Sequence, residues 1–233
     1  MTAPLRLILA CCALSAVPAA AAERNFGVSG FDRVRVEGPY SVRLTVGVAP
    51  FARASGSPRA LEGVALDVQG RTLVVRPSRS SWGGYPGEQA GPVEIAIGTH
   101  ELSAAWVNGS GSLAIDKVRS LAFELSVQGA GSASIASLEV DQLKLSVAGS
   151  GTAQLSGRSA RVSAMVRGSS LLEAGSLAVK DAVLGAEGPS TIRARISGTA
   201  KVDAIGAAQV KITGRPACIV RTAGSATVLG CSS

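Results

Sequence analysis

Few residues in this chain are of a type and spacing that could do chemistry, and the most conspicuous are glycines. Pairs of glycine separated by one residue recur, as in Val107-Asn108-Gly109-Ser110-Gly111, Val127-Gln128-Gly129-Ala130-Gly131 and Val147-Ala148-Gly149-Ser150-Gly151. Such pairs can cradle a phosphate, but a P-loop ends in Gly-Lys-Ser/Thr and a dinucleotide fold needs a helix after its glycines. No Gly-Lys pair occurs here, and Gly109-Ser110-Gly111 runs into Ser112-Leu113-Ala114-Ile115, which has strand character. Calcium-roll repeats place an acidic residue two positions after the second glycine. Those positions hold Leu113, Ala133 and Ala153, so neither phosphate nor calcium is expected at the glycine phrases.

Hydrolytic or lytic chemistry on a glycan needs paired carboxylates, or a carboxylate and a base, converging on one face. Glu124 and Asp141 come nearest to an acid pair at the repeat spacing. Glu173 with Arg193 and Lys211, and Asp203 with Arg221, read instead as opposite charges stacked on a solvated face. Serine is abundant, but a nucleophile needs an adjacent base. His100 is the only histidine, and Thr99-His100-Glu101-Leu102-Ser103 lacks the second histidine of a zinc helix, so His100 reads as a surface residue. No catalytic residue, metal or cofactor is expected; a glycan-active enzyme and a purely structural envelope protein are the alternatives to a binding module.

Binding is better served. Residues 78–92, SRSSWGGYPGEQAGP, read as a loop that carries Trp82 and Tyr85, and Trp106 falls on the outward register of a strand. Exposed aromatic rings stack on sugars or anchor a protein partner; the alternative is that both rings fold down as a plug over the first coil. Arg158, Arg161 and Arg167 form a basic cluster in a chain of net charge +7, which tilts partners towards anionic envelope polymers or carbohydrate. Their alternative is ordinary solubility charge. Nucleic acid is not expected, because aromatic residues for base stacking are few and the chain opens with an export signal.

That opening, MTAPLRLILACCALSAVPAAAAERNF, has one early charge at Arg6, an apolar run and small residues at Ala20-Ala21-Ala22. It reads as a secretory signal peptide over residues 1–22, and a periplasmic or secreted location follows. No later segment is apolar enough to cross a membrane as a helix. Cys11 and Cys12 would leave with the signal, so Cys218 and Cys231 are expected to pair. In the chain-entropy picture the loop they close contributes about 3 kcal/mol.

The elements that position these residues follow from periodicity. The first glycine of each phrase falls at Gly109, Gly129, Gly149, Gly168, Gly188, Gly206 and Gly224, in steps of 18–20 residues. Two residues earlier stand Val107, Val127, Val147, Val166 and Ala186; four and six later stand Leu113 and Ile115, Ala133 and Ile135, Ala153 and Leu155. Alternation on both sides of a bend is the period of short strands with one buried face. A second alternating run, such as Leu121, Phe123 and Leu125, lies between phrases. A fixed period of this length predicts stacked coils: an all-β, right-handed, parallel β-helix-like solenoid of about seven coils over residues 93–233. Gly91, followed by Ile95 and Ile97, is a candidate eighth copy. Residues 23–92 predict hairpin-linked strands with turns at Gly38-Pro39 and Gly70, capping the first coil within one continuous domain.

The opening strands FDRVRVEGPYSVRLTVG, the strand LVVRP, and the serial glycine-serine phrases that end in GRPAC and GSATVLGC together resemble the head GIN domain family, over roughly residues 28–231. That family is a domain of unknown function described as "putative auto-transporter adhesin". The resemblance implies a β-helix fold and adhesion at the cell surface, and it brings no catalytic residues. The later phrases, Gly188-Pro189-Ser190 and Gly206-Ala207-Ala208, depart from the glycine-serine pattern.

Overall fold

A computed structural model describes residues 22–78 and 91–231. The expected signal peptide, save Ala22, lies outside the described residues, and so do Trp82 and Tyr85.

Five long strands make the body: β9 (Ser112–Gly129), β10 (Ser132–Gly149), β11 (Thr152–Gly168), β12 (Leu171–Glu187) and β13 (Thr191–Gly206). Each follows nearly a whole turn of the chain and pairs in parallel with the next. Between β9 and β10 the pairing runs over 112–115, 117–120 and 122–129, so each turn has three sides separated by corners. Leu113 and Ile115, then Val118, then Phe123, Leu125 and Val127 are buried along those sides. The chain is an all-β solenoid as expected, with about six turns against the expected seven or so.

Stacking is in register, so like positions meet. Leu113, Ala133, Ala153, Leu172 and Ile192 form one inward column; Leu125, Leu145, Ala164, Leu184 and Val202 form another. A single apolar core runs from Phe31 to Ile212, and each fully buried aliphatic side chain in it stabilises by about 1.5–3 kcal/mol relative to exposure. Leu121 departs from the expected alternation: it sits at a corner and is 79% exposed, while Phe123 and Leu125 are buried.

The corner at Gly129 shows why the repeat is written in glycine. Its φ is +101°, in the left-handed region that costs other residues about 1–2 kcal/mol. A Cβ there would also stand 2.7 Å from the carbonyl oxygen of Gly109, directly beneath. Gly149 repeats the geometry over Gly129, and positive φ continues through Gly168, Gly188, Gly206 and Gly224. Hydrogen bonds close the stack, with Ala130 N donating to Gly109 O and Ser150 N to Gly129 O, each at 2.9 Å.

The front of the molecule corrects one expectation. β2 (Arg33–Glu37) and β3 (Ser41–Val46) are not a hairpin about Gly38-Pro39. β2 pairs in parallel with β6 (Thr72–Pro77) and β8 (Ala104–Gly109), whereas β3 pairs in parallel with β7 (Glu94–Thr99) and β9. Gly38 is therefore a coil corner, lying beneath Gly109 with φ +101°. Val36, Val42 and Leu44 occupy the positions that Val107, Leu113 and Ile115 hold in the next coil. The turn at Gly70 does join an antiparallel pair, β5 (Val64–Gln69) and β6.

β1 (Ala22–Phe26) and β4 (Phe51–Gly56) add antiparallel strands outside β7. A single helical turn, α1 (Pro58–Glu62), follows with Ser57 as its N-cap and buries Ala60 and Leu61 against the end of the core. At the other end, β14 (Gln209–Thr213) and β15 (Ala217–Gly224) form the last full rung on β13, β16 (Thr227–Leu229) stacks on β14, and Cys218 is disulfide-bonded to Cys231.

A polar clasp ties the front together. The guanidinium of Arg71 donates to both carboxylate oxygens of Asp32 at 2.9 Å, and Ser103 Oγ donates at 2.8 Å. Burial of Asp32 would raise its pKa, but the donors on Arg71 and Ser103 and the charges of Arg71 and Arg33 outweigh it, so the carboxyl lies below its ordinary value.

Gly129→Ala lowers stability by more than about 1–2 kcal/mol, the backbone cost alone, and so lowers the Tm by several degrees. Ser150→Ala, at the exposed middle of the next corner, changes stability by no more than about 0.5 kcal/mol. Thermal and urea unfolding of both variants check this. For Asp32, whose folded pKa is depressed, the stabilisation is full above the unfolded pKa of about 3.9 and is lost as pH falls through the folded value. Asp32→Asn therefore costs about 1.5–3 kcal/mol at neutral pH, and denaturant titrations should show the gap to wild type closing below about pH 4.

Candidate ligand-binding groove

The third side of each turn positions the most suggestive outward residues. Register brings Phe123, Leu143, Val162, Ala182, Ala200 and Cys218 into one inward column. The alternation of a strand then sends the residues on either side outward. One flanking column is Ala122, Gln142, Arg161, Asp181, Thr199 and Ala217; the other is Ala104, Glu124, Lys144, Ser163, Val183, Lys201 and Ile219. A groove of about 1100 Å³ runs along these columns. It spans the rungs from Arg33 on β2 to Ile219 on β15, about 34 Å at ~4.8 Å per rung.

Trp106 lies at the front end of the groove, half-buried. The guanidinium of Arg35, its register neighbour, sits 5.5 Å from the ring centroid. Val183 and Ile219 put exposed apolar surface further along. Polar groups alternate with them. The hydroxyl and backbone N–H of Thr199 both donate to Asp181 Oδ1, at 2.6 and 2.9 Å. These bonds, above all the hydroxyl's, hold the Asp181 carboxyl below its ordinary pKa, with smaller help from Lys180 and Arg161. Lys144 stands 3.9 Å from Glu124. Among the described residues no group of three or more His, Cys, Asp or Glu is placed to share a metal ion.

A family model described as "Putative auto-transporter adhesin, head GIN domain" matches residues 30–216. The chain belongs to the head GIN domain family. No protein of curated function matches it in sequence. Solved structures share the fold. A "putative adhesin" from Bacteroides fragilis superposes with a TM-score of 0.78 at 17% identity, covering 89% of this chain and 95% of that one. A "putative lipid binding protein" from Parabacteroides distasonis gives 0.69 at 18%, covering 91% and 96%. A "putative adhesin" from Parabacteroides merdae gives 0.66 at 14%, with the same coverages. At these identities the likeness is one of architecture.

Within this head GIN domain the residues singled out by sequence disperse. Trp106 joins the groove, whereas Trp82 and Tyr85 lie outside the described residues. The basic cluster is split: Arg158 pairs with Glu139 at 3.4 Å, Arg167 with Glu187 at 2.9 Å, and only Arg161 lines the groove. Glu173 and Arg193 meet at 2.8 Å with Lys211 next in register, and Asp203 is in register with Arg221. Glu124 faces Lys144 rather than a second acid. His100 is exposed. Sequence reasoning missed the groove itself, although adding twenty residues to Ala122 and Glu124 already names its next members, Gln142 and Lys144.

The environment of Trp106 is open to measurement. In a Trp82→Phe background, Arg35→Ala should red-shift the remaining tryptophan emission and increase iodide quenching, because the covering guanidinium is gone. The stability change should stay within about 1 kcal/mol.

Proposed function

We propose that this head GIN domain is an exported, adhesin-like binding module that lays an elongated carbohydrate strand along the groove. The observation that carries the reading is the length and repetition of the groove, which presents outward side chains at every rung and an aromatic ring at its front end. A repeated ligand can make the same contacts again at each step, while a compact substrate would use only a small part of the surface. Gln142, Ser163 and Thr199 offer the amide and hydroxyl groups that sugar hydroxyls bind, and Trp106 offers a stacking face. An acyl chain would cover the apolar part of this surface, but it would strip hydration from Arg161 and Lys201 without offering them a partner.

Export is supported by the Cys218–Cys231 bridge, which belongs to an oxidising compartment, and by the signal-like first residues. Among the described residues no helix is long and apolar enough to cross a membrane. We assign Trp82 and Tyr85, in the segment between β6 and β7, an accessory role in the same binding.

A glycan array followed by titration of the best hits tests the reading. Ser163 is exposed at the middle of the groove, so Ser163→Trp fills it without touching the core. Ser163→Trp and Trp106→Ala should each weaken binding by about tenfold or more, about 1.4 kcal/mol. Glycan binding that both variants leave intact would place the site elsewhere. Binding that survives Trp82→Ala combined with Tyr85→Ala would remove these two rings from the account.

A further inference from the structure

The charges of the groove are unbalanced in a way that narrows the ligand. Four cations line it, Arg33, Lys144, Arg161 and Lys201, against two carboxylates, Glu124 and Asp181. The carboxylates already have partners inside the protein: Asp181 accepts two hydrogen bonds from Thr199, and Glu124 faces Lys144. Arg33 leans towards Asp32 at 4.0 Å. Lys201 has no carboxylate within 4 Å among the described residues, and Arg161 stands one rung from Asp181 without closing an ion pair on it. The register Arg161↔Asp181↔Thr199 puts Lys201, two residues beyond Thr199, two rungs from Arg161. That is about 10 Å along the groove.

We propose that the groove selects a carboxylated polysaccharide, held lengthwise by Arg161 and Lys201 as two charge anchors. This rests on the groove reading above. An anion is implied because the groove carries four cations against two carboxylates, and the guanidinium of Arg161 and the ammonium of Lys201 lie on the same open surface with Asp181, already engaged by Thr199, as the one groove carboxylate between them. A sugar acid is favoured over a bare polyphosphate because hydroxyl and amide groups, Thr199, Ser163 and Gln142, stand among the cations. They match a chain that carries hydroxyls between its charges, whereas a phosphate chain has no donors to offer them. Arg161 suits a carboxylate in particular, since its planar fork can bind both oxygens.

The test compares three polymers on the whole chain: polygalacturonate, the same backbone with its carboxyls methyl-esterified, and inorganic polyphosphate. Wild type should bind polygalacturonate at least about tenfold more tightly than the ester, with affinity falling as salt rises. Arg161→Gln with Lys201→Gln should remove that preference and flatten the salt dependence. Both positions are exposed, so the Tm should hold. Equal binding of the ester, lost on Ser163→Trp, overturns the charge assignment and keeps the groove. Polyphosphate binding more tightly than polygalacturonate overturns the sugar acid. A wild type that binds none of the three, yet binds a neutral glycan, overturns the inference alone; one that binds no glycan at all overturns both.

Discussion

The structure depends on a place where a side chain cannot exist. At the glycine corners the backbone takes a left-handed φ, and at Gly129, Gly149, Gly168 and Gly224 the carbonyl oxygen of the corner beneath also occupies the space a Cβ would need. Two constraints thus coincide, one conformational and one steric, and glycine alone meets both. A coil that slipped by one residue would present a side chain to that oxygen and turn its buried face outward. The corners therefore act as register marks, and the hydrogen bonds from Ala130 and Ser150 to the carbonyls below hold them together.

Register then dictates both faces of the wall. Inward, positions of like depth stack into columns, and size can be traded between rungs: Ala133 and Ala153 lie between Leu113 and Leu172. Outward, the same stacking decides which charges meet. Arg119, Glu139 and Arg158 alternate in sign on neighbouring rungs, with Glu139 bridging both at 3.0 and 3.4 Å. Exposed pairs of this kind contribute little individually, about 0–1 kcal/mol. Their regularity has another consequence: charges that do find partners are removed from the list of ligand contacts, and those in the groove that do not become visible.

Legibility followed the same logic. The solenoid could be read because its corners leave a residue type at a fixed step, and the step survives degenerate phrases such as Gly188-Pro189-Ser190. Gly38 was hidden because β4, α1, β5 and β6 intervene between its coil and the coil that stacks on it, which breaks the step while preserving the geometry. Gly38-Pro39 has the composition of a hairpin turn, and composition cannot say whether the flanking strands pair with each other or with strands far along the chain. Leu121 failed for a related reason, since alternation near a corner does not reveal where the strand begins. The groove was less legible still: each of its columns mixes residue types, Gln142, Arg161, Asp181 and Thr199, so no position carries a recurring letter. Only three-dimensional register gathers them.

The two ends explain why such a wall suits binding along its length. The front is closed by antiparallel strands and by the buried turn of α1, and the back is pinned by the Cys218–Cys231 bridge, which holds a rung where Ile219, Val220 and Leu229 stay exposed. Between them every coil repeats the same backbone, and the fold could gain or lose a coil without altering its neighbours. The polar groups of the groove are spread out at one rung per step. What lengthens with the number of coils is the groove. A ligand that is itself a repeat gains contacts with each added rung, and a ligand of fixed size does not.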